Sequence, residues 1–319
     1  MRTYSQGQTF SEQLAKPARI MVATDLKDSE RLLPYAIAQA KTCGAHLILA
    51  HSAISAGVTA FDSAGIVMSN EELQSERRAE TAVEALVARI KAQGISCESI
   101  VTHISFPQDV LPQEARRAGA QRLIMATHGR GRMGQIALGS VAHELLSTLD
   151  IPIFVVGPYA GPGDKHATPK TILHPVSFSE GYQEGVELAR NIAELYGAEL
   201  ILMHVLDPDL ADSTNPPQSI QWAKQALDDA IPDRVTLTVP LLTHVACGSV
   251  VDEIVNTAKV RRADWIILGT KHLAKAPLLF NSIAYKVLAR AEAPVLALPN
   301  KLQVNNEVAV QDEMPVAVL

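Results

Sequence analysis

The residues best suited to chemistry lie between positions 123 and 141, where a loop of glycine and arginine follows an apolar run. The run Leu123-Ile-Met-Ala126 is short enough for a buried strand, and Ser140 opens a segment with helical apolar spacing. Arg130 and Arg132 bring positive charge into the loop, and glycines that allow close main-chain approach stand at positions 129, 131, 134 and 139. Main-chain N–H groups at the start of a helix point out of the helix and can bind an anion. The order of strand, glycine loop and helix therefore predicts a phosphate-binding site.

A repeated alternation of apolar runs and amphipathic helices must position this loop. Each half of the chain is predicted to contain five strands with intervening helices. A segment rich in glycine and proline, 160–169, separates the two halves. Thus Ile172-Leu-His-Pro-Val176 repeats Ile20-Met-Val-Ala-Thr24. Apolar strands joined by helices form parallel sheets that are covered on both faces. We therefore expect two tandem doubly wound α/β domains, 17–159 and 170–300, each with strand order 3-2-1-4-5.

Composition and charge narrow the class of protein. The chain has 319 residues, 47% hydrophobic and 19% charged, which suits two globular domains. The net charge of -6 argues against duplex nucleic acid or an anionic membrane as a partner. Cysteines at 43, 97 and 247 are too scattered for a disulfide framework or a zinc knuckle. The stretch from Met1 to Lys16 is polar, and the sequence has no apolar run of membrane-spanning length. Together with the scattered cysteines, these features predict a cytoplasmic protein.

The predicted strand order places a ligand crevice in the first half. In open doubly wound sheets, ligands bind beyond the carboxyl ends of the strands where the strand order reverses. One wall would carry Thr24 and Asp25, and the other would carry the segment from Thr127 to Gly139. A carboxylate that accepts from a base or ribose, facing a glycine-lined anion site, suits a nucleotide. Asp28 and Ser29 are predicted to cap the helix that follows. Asp25 therefore also fits a turn or helix-cap residue, but its place at a strand end favours the ligand role.

The sequence allows three other interpretations. Gly129-x-Gly131-x-x-Gly134 matches the dinucleotide fingerprint, with Asp150 roughly twenty residues on, but that fingerprint follows the first strand of a nucleotide fold and this loop follows the fourth. The loop could also be a flexible surface connection. Histidines at predicted strand ends could suggest a metal, yet no pair has ligand spacing of the His-x-x-x-His kind, and we predict no metal site at His51, His103, His204 and His244.

At these residues the chain resembles the universal stress protein family in its tandem form, from about residue 19 to residue 299. The nucleotide motif of that family is a glycine, two residues, a glycine, nine residues, and then Gly-Ser or Gly-Thr. Gly129, Gly139 and Ser140 match this motif, while Ala126 stands at its first glycine. The resemblance implies a fold like the adenine-nucleotide alpha hydrolases. It also implies that ATP or another adenine nucleotide is bound, with Mg²⁺ bridging the phosphates.

The resemblance also assigns residues to the nucleotide. Phosphates would lie at Gly129, Gly139, Ser140 and Val141, and the adenine and ribose at Asp25, Ser52 and Met125. Thr24, Thr127 and Arg130, from the two walls of the crevice, complete the candidate site.

Catalytic signals are weak by comparison. The sequence has no Gly-x-Ser-x-Gly elbow, no paired carboxylates near the glycine loop and no base placed to activate water. We therefore predict a stress-response protein that binds adenine nucleotide as a signalling or protective module, with at most weak ATP hydrolysis. A slow ATPase or nucleotide-transferring enzyme, and a nucleotide-free chaperone-like protein, remain as alternatives.

The second half lacks most of this chemistry. Alignment of the two halves puts Ser177 in place of Asp25, His272 in place of Gly129 and Asn281 in place of Gly139, with Ser282 retained and Pro277 in the loop. We expect no triphosphate there, because a proline and Cβ atoms leave few main-chain donors accessible. Its crevice would accept an apolar ligand or be filled by its own side chains.

The fifth strands of the two halves are expected to meet. Pro152 to Val156 and Pro294 to Leu298 are apolar edge strands, and an uncovered edge promotes association. We therefore predict an intramolecular pseudo-dimer, with a further homodimer left open.

Overall fold

The computed structural model describes residues 10–52, 61–62, 65–66, 70–102, 107–127, 139–161, 163–179, 181–206, 216–231, 237–269 and 282–299. The first half contains, in chain order, α1 (Phe10–Ala15), β1 (Arg19–Ala23), α2 (Ser29–Cys43), β2 (His46–Ser52), β3 (Phe61–Asp62), β4 (Gly65–Ile66), α3 (Asn70–Lys91), β5 (Cys97–Thr102), α4 (Pro107–Arg117), β6 (Arg122–Ala126), α5 (Ser140–Thr148) and β7 (Ile153–Val156). The remainder contains α6 (Gly163–His166), β8 (Thr171–Pro175), α7 (Tyr182–Tyr196), β9 (Glu199–Leu206), α8 (Pro216–Asp229), β10 (Leu241–Cys247), α9 (Val250–Val260), β11 (Trp265–Gly269), α10 (Ile283–Arg290) and β12 (Val295–Leu298).

The predicted strand order is confirmed in both halves. In the main sheet the first half is ordered β5-β2-β1-β6-β7 and the second β10-β9-β8-β11-β12, and all pairs within each of these two sets are parallel. The short strands β3 and β4 form a separate antiparallel pair in the first half. When the five strands that each half contributes to the main sheet are numbered along the chain, their order in the sheet is 3-2-1-4-5. The fold is therefore α/β with two doubly wound units.

The two fifth strands pair with each other, as predicted. β12 runs antiparallel to β7, with Leu296 opposite Phe154, and this pair joins the halves into one ten-stranded sheet. The Phe154 ring lies 4.8 Å from the ring of Trp265 in the second half and 5.4 Å from that of Tyr35 in the first. The halves thus form an intramolecular pseudo-dimer with a shared interior.

Side chains along each strand alternate between two buried layers. In β6, Ile124 and Ala126 pack in the layer that contains α2 and α7, whereas Leu123 and Met125 pack in the layer that contains α5 and α10. Both layers include residues from both halves. Burial on both faces explains why the strands are almost continuously apolar in sequence.

The segment predicted as a linker is packed against both halves. Tyr35 Oη donates to the Gly161 carbonyl oxygen over 3.3 Å, which ties the segment to α2. His166 Nδ1 lies 2.8 Å from Asp264 Oδ1, and Trp265 Nε1 donates to the His166 carbonyl oxygen over 2.8 Å. Contacts to α2 on one side and to β11 on the other hold the segment between the halves.

The helix α1 has no counterpart in the sequence-based prediction. Its residues Leu14 and Ala15 are buried, and Ser11 Oγ accepts a hydrogen bond of 2.9 Å from Asn191 Nδ2 on α7 of the second half. The fully buried Arg122 donates through Nη2 to the carbonyl oxygens of Leu14 and Ala15 over 2.7 and 3.2 Å. α1 therefore bridges the halves. None of the described helices is both long and apolar enough to cross a membrane.

Candidate functional site

The carboxyl ends of β1 and β6 form the reversal point of the strand order in the first half. β1 pairs with β2 on one side and with β6 on the other, and Ala23 lies opposite Met125. The loops that follow these two strands therefore begin side by side. Thr24 and Asp25 open one loop, and Thr127 opens the other.

Thr24 builds the loop after β1. Its hydroxyl donates to Asp28 Oδ1 over 2.5 Å and accepts from the Leu26 N–H over 2.9 Å. Leu26 has φ of 70°, a left-handed backbone that turns the chain toward α2. The predicted capping role of Asp28 needs correction: Asp28 occupies the N-cap position, but its side chain makes no cap hydrogen bond because it accepts from Thr24 instead.

Asp25 has the turn role that was one of the alternatives for it. Its Oδ1 accepts from the N–H groups of Lys27 and Asp28 over 2.9 and 3.0 Å. The residue is also partly exposed at the strand end. The turn thus fixes the orientation of a carboxylate at the mouth of the crevice.

A histidine supports the same loop in each half. His51 Nδ1 donates to the Thr24 carbonyl oxygen over 2.9 Å, and His204 Nδ1 donates to the Val176 carbonyl oxygen over 2.7 Å. Their occurrence at equivalent strand ends was visible in the sequence, but this loop-supporting role was not. His103 lies outside the described residues, and His244 lies on β10. Within the described ranges, no group of three or more His, Cys, Asp or Glu side chains is arranged to hold a metal ion.

The second wall of the crevice begins at Thr127. This residue is buried, and its N–H donates to the Val156 carbonyl oxygen over 3.2 Å. The Met125 side chain is buried in the layer of α5, and the Ala126 methyl is buried in the opposite layer. Gly129 and Arg130 lie outside the described residues.

The start of α5 completes this wall. Gly139 is its N-cap residue, with φ of -61° and ψ of 156°, and Ser140 and Val141 begin the helix. Because any residue can adopt this backbone, the glycine is not required by conformation. A glycine N-cap does lack a side-chain oxygen that would accept from the first N–H groups of the helix.

The predicted site residues divide by exposure. The buried group forms the walls and consists of Thr24, Met125 and Thr127. The partly exposed group consists of Asp25, Ser52, Gly139 and Val141. Ser52 ends β2 and lies opposite Thr102 of β5, so it stands one strand beyond Asp25 at the same edge.

Comparison with known proteins places the chain in a family. The model of the universal stress protein family matches residues 17–157 and again residues 168–299. The chain belongs to the universal stress protein family. The two matches follow one another along the chain, so this is a tandem universal stress protein.

The two curated relatives each align with less than half of this chain, over nearly their own full length. A universal stress protein of Thermus aquaticus, from the region 3′ of a QAH/OAS sulfhydrylase, is 30% identical over 135 residues, covering 40% of this chain and 96% of its own. YxiE of Bacillus subtilis is 28% identical over 145 residues, covering 43% and 97%. A universal stress protein structure from Archaeoglobus fulgidus shares the fold with a TM-score of 0.66 at 15% identity, covering 88% of this chain and 96% of its own.

The crevice of the second half differs from that of the first. Ser177 is exposed where the first half has Asp25, and the next residue, Phe178, has a left-handed φ of 50° like Leu26. Ser282 caps its own helix, because its Oγ accepts from the Tyr285 N–H over 3.1 Å. His272 and Asn281 lie outside the described residues.

Proposed function

We propose that this universal stress protein binds ATP, or another adenine nucleotide, with Mg²⁺ in the crevice of its first half. The bound nucleotide would set a signalling or protective output in the stress response. One observation carries the proposal: a carboxylate at Asp25, held by the turn that follows it, and the start of α5 come after two adjacent parallel strands at the reversal point of the sheet. That is where open α/β sheets bind nucleotides.

Each predicted site residue has a proposed role. The Asp25 carboxylate and the Ser52 hydroxyl would bind the base and ribose, and Met125 would contribute main chain because its side chain is buried. Thr24 and Thr127 would shape the walls. The phosphates would lie against the glycine loop and the positive end of α5, which presents unpaired N–H groups to an anion, at Gly129, Arg130, Gly139, Ser140 and Val141.

The two halves would have different functions. We propose that residues 17–159 form the nucleotide-binding unit and that residues 170–300 form a unit with a degenerate nucleotide motif. Support comes from Ser282, which uses a side-chain oxygen to satisfy an N–H of α10 that a phosphate would otherwise approach. We also propose a cytoplasmic location, in keeping with the free thiols of Cys43, Cys97 and Cys247.

Calorimetric titration of Mg-ATP into the full chain tests the nucleotide site. We expect Gly139→Val to weaken ATP binding about tenfold or more, because a branched side chain at the start of α5 would obstruct the phosphates, and one such clash corresponds to roughly 1–3 kcal/mol. The matched control is Asn281→Val at the corresponding position of the second half, which should bind ATP as the wild type does. Unchanged affinity in Gly139→Val would place the phosphates elsewhere.

Multiple-turnover ATP hydrolysis separates a binding module from a slow ATPase. We expect turnover close to the background rate, because the sequence has no motif that supplies a base to activate water. Sustained turnover that Gly139→Val abolishes would instead favour the enzyme.

A further inference from the structure

Four rings cluster at the crevice of the second half. We call Phe178, Tyr182, His204 and Trp222 the aromatic cluster. Phe178 is at its centre, with ring centroids 5.3 Å from Tyr182, 4.6 Å from His204 and 5.5 Å from Trp222. Tyr182 and Trp222 stand nearly edge-on to Phe178, at interplanar angles of 82° and 68°.

The aromatic cluster lies at the carboxyl ends of β8 and β9. Phe178 follows β8 as Leu26 follows β1, and both residues have a left-handed backbone. His204 supports the Phe178 loop as His51 supports the Leu26 loop. The cluster therefore occupies the same place in the second half as the Asp25 loop does in the first, where ligands of this fold bind.

The polar chemistry of the first crevice is replaced here. Ser177 stands where the first half has the Asp25 carboxylate, and Ser282 covers an N–H at the start of α10 with its own hydroxyl. A ligand that depends on phosphate or on a carboxylate partner loses those contacts. Among the described residues of this crevice, the aromatic cluster offers ring faces and ring edges, which recognise aromatic surface.

Trp222 is the open member of the cluster. It is 58% exposed, whereas Phe178, Tyr182 and His204 are partly buried and the other tryptophan of the chain, Trp265, is fully buried. Its edge-on contact with Phe178 restrains the indole while much of its surface faces solvent. A restrained and exposed indole presents a flat binding surface.

We propose that the second half binds a planar aromatic ring without phosphate, stacked on Trp222 beside Phe178. A single open face suits one flat ring, because a caged cation needs several ring faces around it and an aliphatic chain needs a deep apolar pocket. The site is separate from the proposed nucleotide site and does not require it.

Caffeine is a suitable probe, because it is a flat, uncharged purine with neither ribose nor phosphate. When caffeine is titrated into the full chain in the presence of saturating Mg-ATP, tryptophan fluorescence should fall and reach a plateau. Trp265 is fully buried, so the quenching reports Trp222. By calorimetry, Trp222→Ala should weaken caffeine binding about tenfold or more. Trp222→Phe should restore most of the affinity.

Ile220→Ala is the matched control, because Ile220 is another exposed apolar residue of α8, 45% exposed and outside the cluster. It should bind caffeine as the wild type does. Linear quenching without saturation, or equal affinity in Trp222→Ala, would overturn the proposal. So would saturable binding of tetramethylammonium or decanoate but not of caffeine.

Failure here can be told apart from failure of the nucleotide proposal. Caffeine binding that disappears when Mg-ATP is added and is unchanged in Trp222→Ala would place the probe in the first half and overturn the aromatic site. Wild-type ATP affinity in Trp222→Ala, together with wild-type caffeine affinity in Gly139→Val, would show two separate sites.

Discussion

Buried polar residues set the geometry of this protein at the residue scale. Arg122 is fully buried in β6, and burial lowers the pKa of its guanidinium. Hydrogen bonds to neutral oxygens offset part of the cost: Nη1 donates to Gln39 Oε1 over 3.0 Å and Nη2 to main chain of α1. Because removal of one buried partner leaves the other unsatisfied, these contacts fix α1 in one position.

His174 makes the stability of the fold depend on pH. It is buried in β8, and burial lowers its pKa from 6.5 to about 4, although Nδ1 donates to the Ile267 carbonyl oxygen over 2.9 Å. Above pH 6.5 the imidazole is neutral in both states. As pH falls from about 6.5 to 4, the unfolded chain takes up the proton first, so the free energy of unfolding falls by up to about 3 kcal/mol.

Urea unfolding at pH 7.5 and at pH 4.5 measures this effect. His174→Gln cannot be protonated, so it should lose less stability between the two values than the wild type. His204→Gln is the control, since it removes a similar contact to a carbonyl oxygen but keeps His174, so the loss of stability caused by His174 should remain. An identical loss in His174→Gln and wild type would contradict the prediction.

Turn chemistry explains why the sequence was ambiguous about the site. Asp25 and Asp28 were both reasonable helix caps, and the choice depends on the left-handed backbone of Leu26. With that conformation, Thr24 bonds to Asp28 and Asp25 bonds to the turn. A branched aliphatic residue rarely adopts positive φ, so pattern alone does not reveal this arrangement.

At the scale of elements, the strands of the ten-stranded sheet could be predicted, whereas the short pair β3 and β4 and the bridging helices could not. Strands such as β6 and β11 are buried on both faces, and this requirement leaves an apolar run in the sequence. The helices α1 and α6 are too short to be stable alone, and they form because they pack across the two halves. Such contacts between distant segments leave no periodic pattern.

The approach of α6 to α2 is close enough to require glycine. A Cβ added to Gly163 would lie 2.7 Å from Pro34 Cβ and 3.3 Å from Tyr35 Cε2. Pro34 lies within α2 and cannot move without the helix. Gly163→Ala should therefore destabilise the protein by roughly 1–3 kcal/mol, measured by thermal and urea unfolding.

Gly269→Ala is the control for this change. Among the described residues, its added methyl group would meet nothing within 4 Å, so stability should stay close to that of the wild type. Wild-type stability in Gly163→Ala would mean that α6 moves away from α2 at little cost.

At the scale of the whole molecule, the halves should unfold together. The two buried layers continue across the β7–β12 junction, and Phe154 contacts rings on both sides of it. We expect a single cooperative transition, with fluorescence and circular dichroism coincident in urea. Phe154→Ala should cost about 3–5 kcal/mol.

Phe10→Ala provides the comparison, since Phe10 is 41% exposed and should contribute little. Two separate transitions in the wild-type protein would show that the halves are energetically independent.

The antiparallel junction also determines where the two crevices lie in the molecule. Since β12 runs against β7, the five strands that the first half contributes to the ten-stranded sheet run in the opposite sense to the five of the second half. Their carboxyl ends, and with them the two crevices, therefore lie at opposite edges of the shared sheet. Neighbours docked at the two ends would not collide, and one chain could hold both together as a rigid coupler. Any energetic coupling between those two ends would have to pass through the sheet that the halves share.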